Sequence, residues 1–156
     1  MNISYPAHDG VVIATKNRAI SLGQEVRIGD YLIPGAGEFD IAGIQCEVHF
    51  ATQGLVYFIR LEELQITFLS EINSQVISLA DAASTNILVI NLRSSDQPET
   101  LTPILKGLEP SFVFLFGPGA TKEFIQSLSL PNHDSNVLKI TRSGLPLEGT
   151  YLVSRE

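Results

Sequence analysis

Few side chains in this 156-residue sequence are placed to do chemistry together. Its three histidines, His8, His49 and His133, lie far apart, and none belongs to a His-x-His pair. The single cysteine is Cys46. Glu38 and Asp40 stand one residue apart, so in an extended segment their carboxylates share a face. Joined by Glu71, they could form an oxygen site for a hard cation, or an acid–base pair. The simpler account has Glu38 accepting hydrogen bonds from the glycine-rich turn and Asp40 in solvent, since surface carboxylates are common in an acidic chain. His49, between Val48 and Phe50, reads as a satisfied or exposed sheet histidine, and His133 as a solvated loop residue.

Other chemistries find less. Ser70, Ser94 and Ser143 have no Gly-x-Ser-x-Gly context and no visible His–Asp partner, which argues against a serine hydrolase. Gly35-x-Gly37 lacks the third glycine and the helix of a dinucleotide site. Gly117-Pro118-Gly119, ahead of a helix starting at Thr121, could hold an anion, and turn chemistry explains it equally well. Cys46, in a β segment, fits a small packed hydrophobe.

The elements that would position these residues change character along the chain. Val11–Thr15 and Ala19–Leu22 flank a turn at Lys16-Asn17-Arg18, and Glu25–Ile28 and Tyr31–Ile33 flank Gly29-Asp30. Strands are expected at Ile41–Phe50, Leu55–Leu61 and Leu64–Ser70, the last two joined at Glu62-Glu63. Leu55–Leu61 is apolar on both parities and should be covered on both faces. The period then lengthens. A short helix is expected over Val76–Ala83, a longer one over Pro98–Gly107 with Pro98 in its first turn, and a third over Thr121–Leu128 with Thr121 as N-cap. Asn86–Leu92, Ser111–Phe116, Val137–Thr141 and Thr150–Ser154 read as strands, and Pro131–Asn136 as a loop. This order describes an α/β layered domain with mixed sheets.

Composition limits the partners. Charged residues make up 17%, below the usual quarter, which points to a partner covering part of the surface. The net charge is −7 and the ten basic residues are scattered, with Lys16 and Arg18 the closest pair, so nucleic-acid binding is not expected. One cysteine cannot form an intrachain disulfide. Met1-Asn2-Ile3-Ser4-Tyr5 is unlike a signal peptide, and apolar runs such as Phe112–Phe116 are too short to span a membrane. A single soluble, cytoplasmic domain over residues 1–156 is the expectation.

Five stretches in order resemble the metallo-β-lactamase-fold hydrolases, in particular their lactonase-like bacterial branch. Met1-Asn2-Ile3-Ser4-Tyr5-Pro6-Ala7-His8 is similar to the opening strand of that family. Gly35-Ala36-Gly37-Glu38-Phe39-Asp40-Ile41-Ala42-Gly43-Ile44 resembles its Gly-Pro-Gly-Glu-Tyr-Glu-Val-x-Gly-Val landmark. Phe68-Leu69-Ser70-Glu71-Ile72 stands where the family has His-Leu-Gly-Asp-Leu. Pro110–Pro118 resembles a strand that ends Pro-Met-His-Tyr, and Leu138–Pro146 its Leu-Lys-x-Thr-x-Ser-x-Leu-Pro tail. The implied fold is a truncated metallo-β-lactamase-like sandwich of mixed β-sheets, with helices packed on the outside.

The resemblance also implies what is missing. The family's His-x-His-x-Asp-His loop belongs between the first hairpin and the glycine landmark, where only Gly23–Leu32 is available, without a histidine. Glu71 replaces the bridging aspartate and Gly117 the last histidine. A hydrolytic zinc needs about three converging protein ligands to activate water. The expectation is therefore no metal and no cofactor, with His8, Glu38, Asp40 and Glu71 as vestigial candidates; His8 sits where the family often has a histidine. A non-catalytic domain for protein contact or self-association is the leading reading, because losing the loop uncovers sheet edges. The alternatives are a residual hydrolase with a rebuilt site and an anion sensor at Gly117–Gly119.

Overall fold

Alternation of apolar and polar residues builds the first sheet. The computed structural model describes residues 1–7, 9–52, 54–79, 82–134 and 137–154. Strands β1 (Asn2–Ala7), β2 (Gly10–Ala14), β3 (Ala19–Leu22), β4 (Val26–Ile28) and β5 (Tyr31–Leu32) follow one another antiparallel. Every second residue turns inward: Ile3, Tyr5, Val11, Ile13, Ile20, Leu22, Val26 and Ile28 are buried. Their neighbours Ser4, Val12, Ser21 and Arg27 stay half exposed. A shift of one residue would exchange the two sets, so burial of one face holds the register.

The second sheet begins as a meander of β6 (Gly37–Ile41), β7 (Ile44–Phe50), β8 (Leu55–Leu61) and β9 (Leu64–Leu69). It continues with parallel strands β10 (Ile87–Asn91) and β11 (Phe112–Phe116). Near the C-terminus come β12 (Asn132–Asp134), β13 (Val137–Lys139) and β14 (Tyr151–Ser154). The order is β12-β14-β11-β10-β9-β8-β7-β6, while β13 joins the first sheet beside β1. A parallel pair needs a crossover, and α1 (Pro98–Leu108) supplies it between β10 and β11; α2 (Lys122–Ser127) follows β11.

Two cores result. One lies between the sheets and includes Ile13, Ile59, Ile66, Phe68 and Phe114. The other lies between the second sheet and the helices, with Leu88, Ile90, Leu101, Ile104, Leu108 and Phe124. The continuous apolar strands are thus those covered on both faces, and Leu55–Leu61 behaves as its sequence implies. Tyr5 ties the sheets together. Its hydroxyl donates to the Val153 carbonyl (2.6 Å) and accepts from the Leu115 N–H (3.2 Å). The helices cover only the second sheet; among the described residues the outer face of the first carries none.

Three expectations change. Ile41–Phe50 is not one strand: Ala42 and Gly43 make a two-residue turn at φ 52° and 85°, and β6 precedes it. Positive φ at both central positions is the geometry of a tight hairpin, which an alanine at the first position conceals. Val76–Ala83 is not an α-helix; 3-10 turns form at Ser74–Ser78 and Ala82–Ser84, and Ala80 and Asp81 lie outside the described residues. Asn73 caps the first of these turns through Gln75 N–H (2.8 Å). Pro131–Asn136 is in part a strand, β12, which carries the exposed His133. The expected Thr121 cap is present, its hydroxyl accepting from Phe124 N–H (3.1 Å). No described helix is long and apolar enough to cross a membrane.

Candidate functional site

The turn at Ala42-Gly43 sets the geometry of the acidic residues. It pairs Ile41 with Ile44, and therefore Asp40 with Gln45 and Glu38 with Glu47. The β7–β8 and β8–β9 pairings extend these rows: Asp40, Gln45, Arg60 and Gln65 form one, and Glu38, Glu47, Phe58 and Thr67 the other. All these side chains share the helix-side face of the sheet. All but the buried Thr67 line an open groove of about 630 Å³.

Glu38 and Asp40 are both exposed on β6. Asp40, rather than Glu38, serves a turn: its Oδ1 accepts from Gly43 N–H (3.2 Å). Glu47 lies 3.7 Å from His49 Nε2, and His49 meets the Phe58 ring edge-on at 5.6 Å. Arg60 Nη2 donates to Gln65 Oε1 (3.0 Å). Beyond Arg60 a second, more polar cavity of about 460 Å³ continues past Thr85 and Ser111 to Arg142. Sequence reasoning missed Glu47, Phe58, Arg60 and Gln65. Their signal was parity across three hairpins, readable only once Ala42-Gly43 is recognised as a turn.

Glu71 lies elsewhere. It follows β9, three strands from β6, or about 14 Å across the sheet at strand spacing. The structure does not bring it to Glu38 and Asp40. It pairs instead with Arg93, at the carboxyl end of β10 (Oε2 to Nη2, 3.6 Å). His8 lies outside the described residues. Gly117, after β11, has φ +93°, and a Cβ there would collide with Asn91 Oδ1 and sit 2.5 Å from the Leu92 carbonyl oxygen. Close backbone approach to β10 therefore accounts for that glycine. Among the described residues no three of His, Cys, Asp and Glu converge as a metal-binding group.

Two of the nucleophile candidates, Ser70 and Cys46, are committed to structure. Ser70 Oγ donates to the Leu55 carbonyl and accepts its N–H (3.2 and 2.8 Å). Cys46 is buried on the inner face, and desolvation pushes its thiol up to about 12. That is the condition of an inert packed cysteine.

No family model and no curated protein matches this sequence. Among solved structures, the chain superposes on a Thermotoga maritima protein described as a Zn-dependent hydrolase of the metallo-β-lactamase superfamily. The TM-score is 0.73 over 100% of both chains, at 12% identity. Likeness at that identity speaks for the fold: this chain has a metallo-β-lactamase-like α/β architecture, as its motifs imply.

That fold implies a zinc centre, and the described residues do not fit one. The segment available for the metal loop, Gly23–Leu32, is taken up by β4 and β5. Glu71, which the resemblance matches to a bridging aspartate, is paired with the Arg93 guanidinium. At position 117 there is no room for any side chain.

Proposed function

We propose that this chain is a non-catalytic domain of metallo-β-lactamase fold, one unit over residues 1–156, that works by binding protein. The observation that carries this reading is the Glu71–Arg93 pair. A protein cation, Arg93, is paired with the residue that the resemblance places as a metal ligand. Like charges exclude each other from one site, and a hydrolysis that depends on metal-activated water would have no activator.

A contact role is supported by what the fold leaves open. The outer face of the first sheet has no helix over it among the described residues, and β5 presents Tyr31 and Leu32 at 44% and 40% exposure. Exposed sheet edges and apolar side chains are the usual raw material of interfaces. The net charge of −7 directs this reading toward protein rather than nucleic acid, and the single cysteine suits a cytoplasmic setting.

The rebuilt-site alternative would need His8, Glu38 and Glu71 together; it draws no support from a Glu71 three strands from Glu38, and His8 lies outside the described residues. Metal content of untagged protein purified without chelator tests the proposal. Less than about a tenth of an equivalent of zinc, manganese or iron is expected, with no rise in Tm on adding zinc. A stoichiometric metal would overturn it.

A further inference from the structure

Strand β6 ends its sheet, and among the described residues no strand pairs with its outer side. It is five residues long, with Glu38 and Asp40 exposed on one face and Phe39 half buried on the other. An extended chain laid along such an edge gains main-chain hydrogen bonds, and its alternate side chains fall on the same face as those of the strand beside it. The repeat on both sides is about 6.7 Å, two residues of strand.

The groove beside β6 selects the chemistry of those side chains. Three carboxylates, Glu38, Asp40 and Glu47, face it against one cation, Arg60, which is bonded to Gln65, and Phe58 forms part of its floor. Glu38 and Glu47 are cross-strand partners, an arrangement whose repulsion a cation relieves. Lys and Arg carry a charged head on an apolar stem, which matches acids around an aromatic floor. With a net charge of −7, the molecule attracts a basic partner and repels its own copies.

Building on the reading of the chain as a binding domain, we propose that β6 accepts an extended basic peptide from a partner protein. The peptide adds a strand to the sheet and sets Lys or Arg at every second position over Glu38 and Asp40.

The test uses the full chain and a labelled seven-residue peptide alternating valine with arginine, followed by fluorescence anisotropy and amide hydrogen exchange. Saturable binding with slowed exchange at residues 37–41 is expected. The double variant Glu38→Gln/Asp40→Asn should weaken binding about tenfold or more; asparagine keeps an acceptor for Gly43 N–H, so the turn survives. A peptide with the same residues in blocks should bind more weakly. Equal affinity for the variant, binding without protection of β6, or no saturation by about 1 mM would each overturn the proposal. So would a concentration-dependent dimer that the variant abolishes, which would assign the edge to a second copy. None of these outcomes depends on metal content, so the non-catalytic reading stands or falls separately.

Discussion

Glu38 on β6 and Glu47 on β7 are directly opposed across an antiparallel pair, two carboxylates facing one groove. Directly opposed like charges destabilise a sheet. Glu47 has His49 Nε2 at 3.7 Å, on its own strand, whereas Glu38 is exposed. A short turn imposes this pairing, since the two-residue connection leaves β6 and β7 one register.

Reversing the charge at position 38 should therefore stabilise the fold. Glu38→Lys is expected to raise unfolding stability by about 0.2–1 kcal/mol at low salt. The gain should shrink toward zero at about 1 M salt, where the screening length is only about 3 Å. Urea melts at the two salt concentrations measure it, and a gain indifferent to salt would contradict the electrostatic account.

The turn itself is improvable. Ala42 adopts φ 52°, a left-handed conformation that costs an alanine about 1–2 kcal/mol. Ala42→Asn creates Asn-Gly, the pair favoured in such hairpins. An increase in stability of about 0.5–1 kcal/mol is expected, since asparagine recovers only part of that cost. A loss of stability would mean that the hairpin does not turn at Ala42-Gly43.

Placing a histidine at position 117, where the resemblance puts one, should harm the protein instead of arming it. Gly117 is at φ +93°, with the Leu92 carbonyl oxygen 2.5 Å from any Cβ. Gly117→His is expected to cost at least about 1–3 kcal/mol from backbone strain alone. Thermal melts with and without added zinc read both effects; a stable variant that gains a zinc-dependent Tm rise would refute the packing argument.

Alkaline pH should unfold the chain through its buried acids. Burial pushes Cys46 from 9.0 up to about 12 and raises Tyr5 and Tyr57 above their ordinary 10.0; for Tyr57, a charged Cys46 adds to the effect. Each group keeps its proton longer in the folded state than in the unfolded one. Stability is thus complete below pH 9 and declines as pH rises toward 12. Between pH 9 and 10 the thiol dominates, adding a slope that approaches about 1.4 kcal/mol per pH unit. Cys46→Val should flatten that part of the profile in urea melts, and an unchanged slope would exonerate the thiol.

Much of the architecture was legible because local pattern and tertiary demand agree. Period-two alternation marked β2, β3 and β4, the apolar runs marked β10 and β11, and Thr121 announced α2. Legibility failed where local cues were weak. Ala42 is a poor advertisement for a left-handed turn, so β6 and β7 were merged and the carboxylate rows hidden. Val76–Ala83 carries an apolar stripe at helical spacing, yet the chain there forms 3-10 turns. Gly107 approaches Ile77 of that segment to about 3.0 Å from where a Cβ would stand, so α1 leaves it little space.

What the sequence determined alone is an inventory: three histidines far apart with no His-x-His pair, an acidic balance, and strands whose patterns allow one sheet covered on both faces. Tertiary structure decided which of those residues meet. Glu38 and Asp40 gained Glu47 and Arg60 as groove neighbours, while Glu71 went three strands away to Arg93. The reason is that residue type is a local property, whereas convergence depends on strand register and sheet order, which turns and core packing settle together.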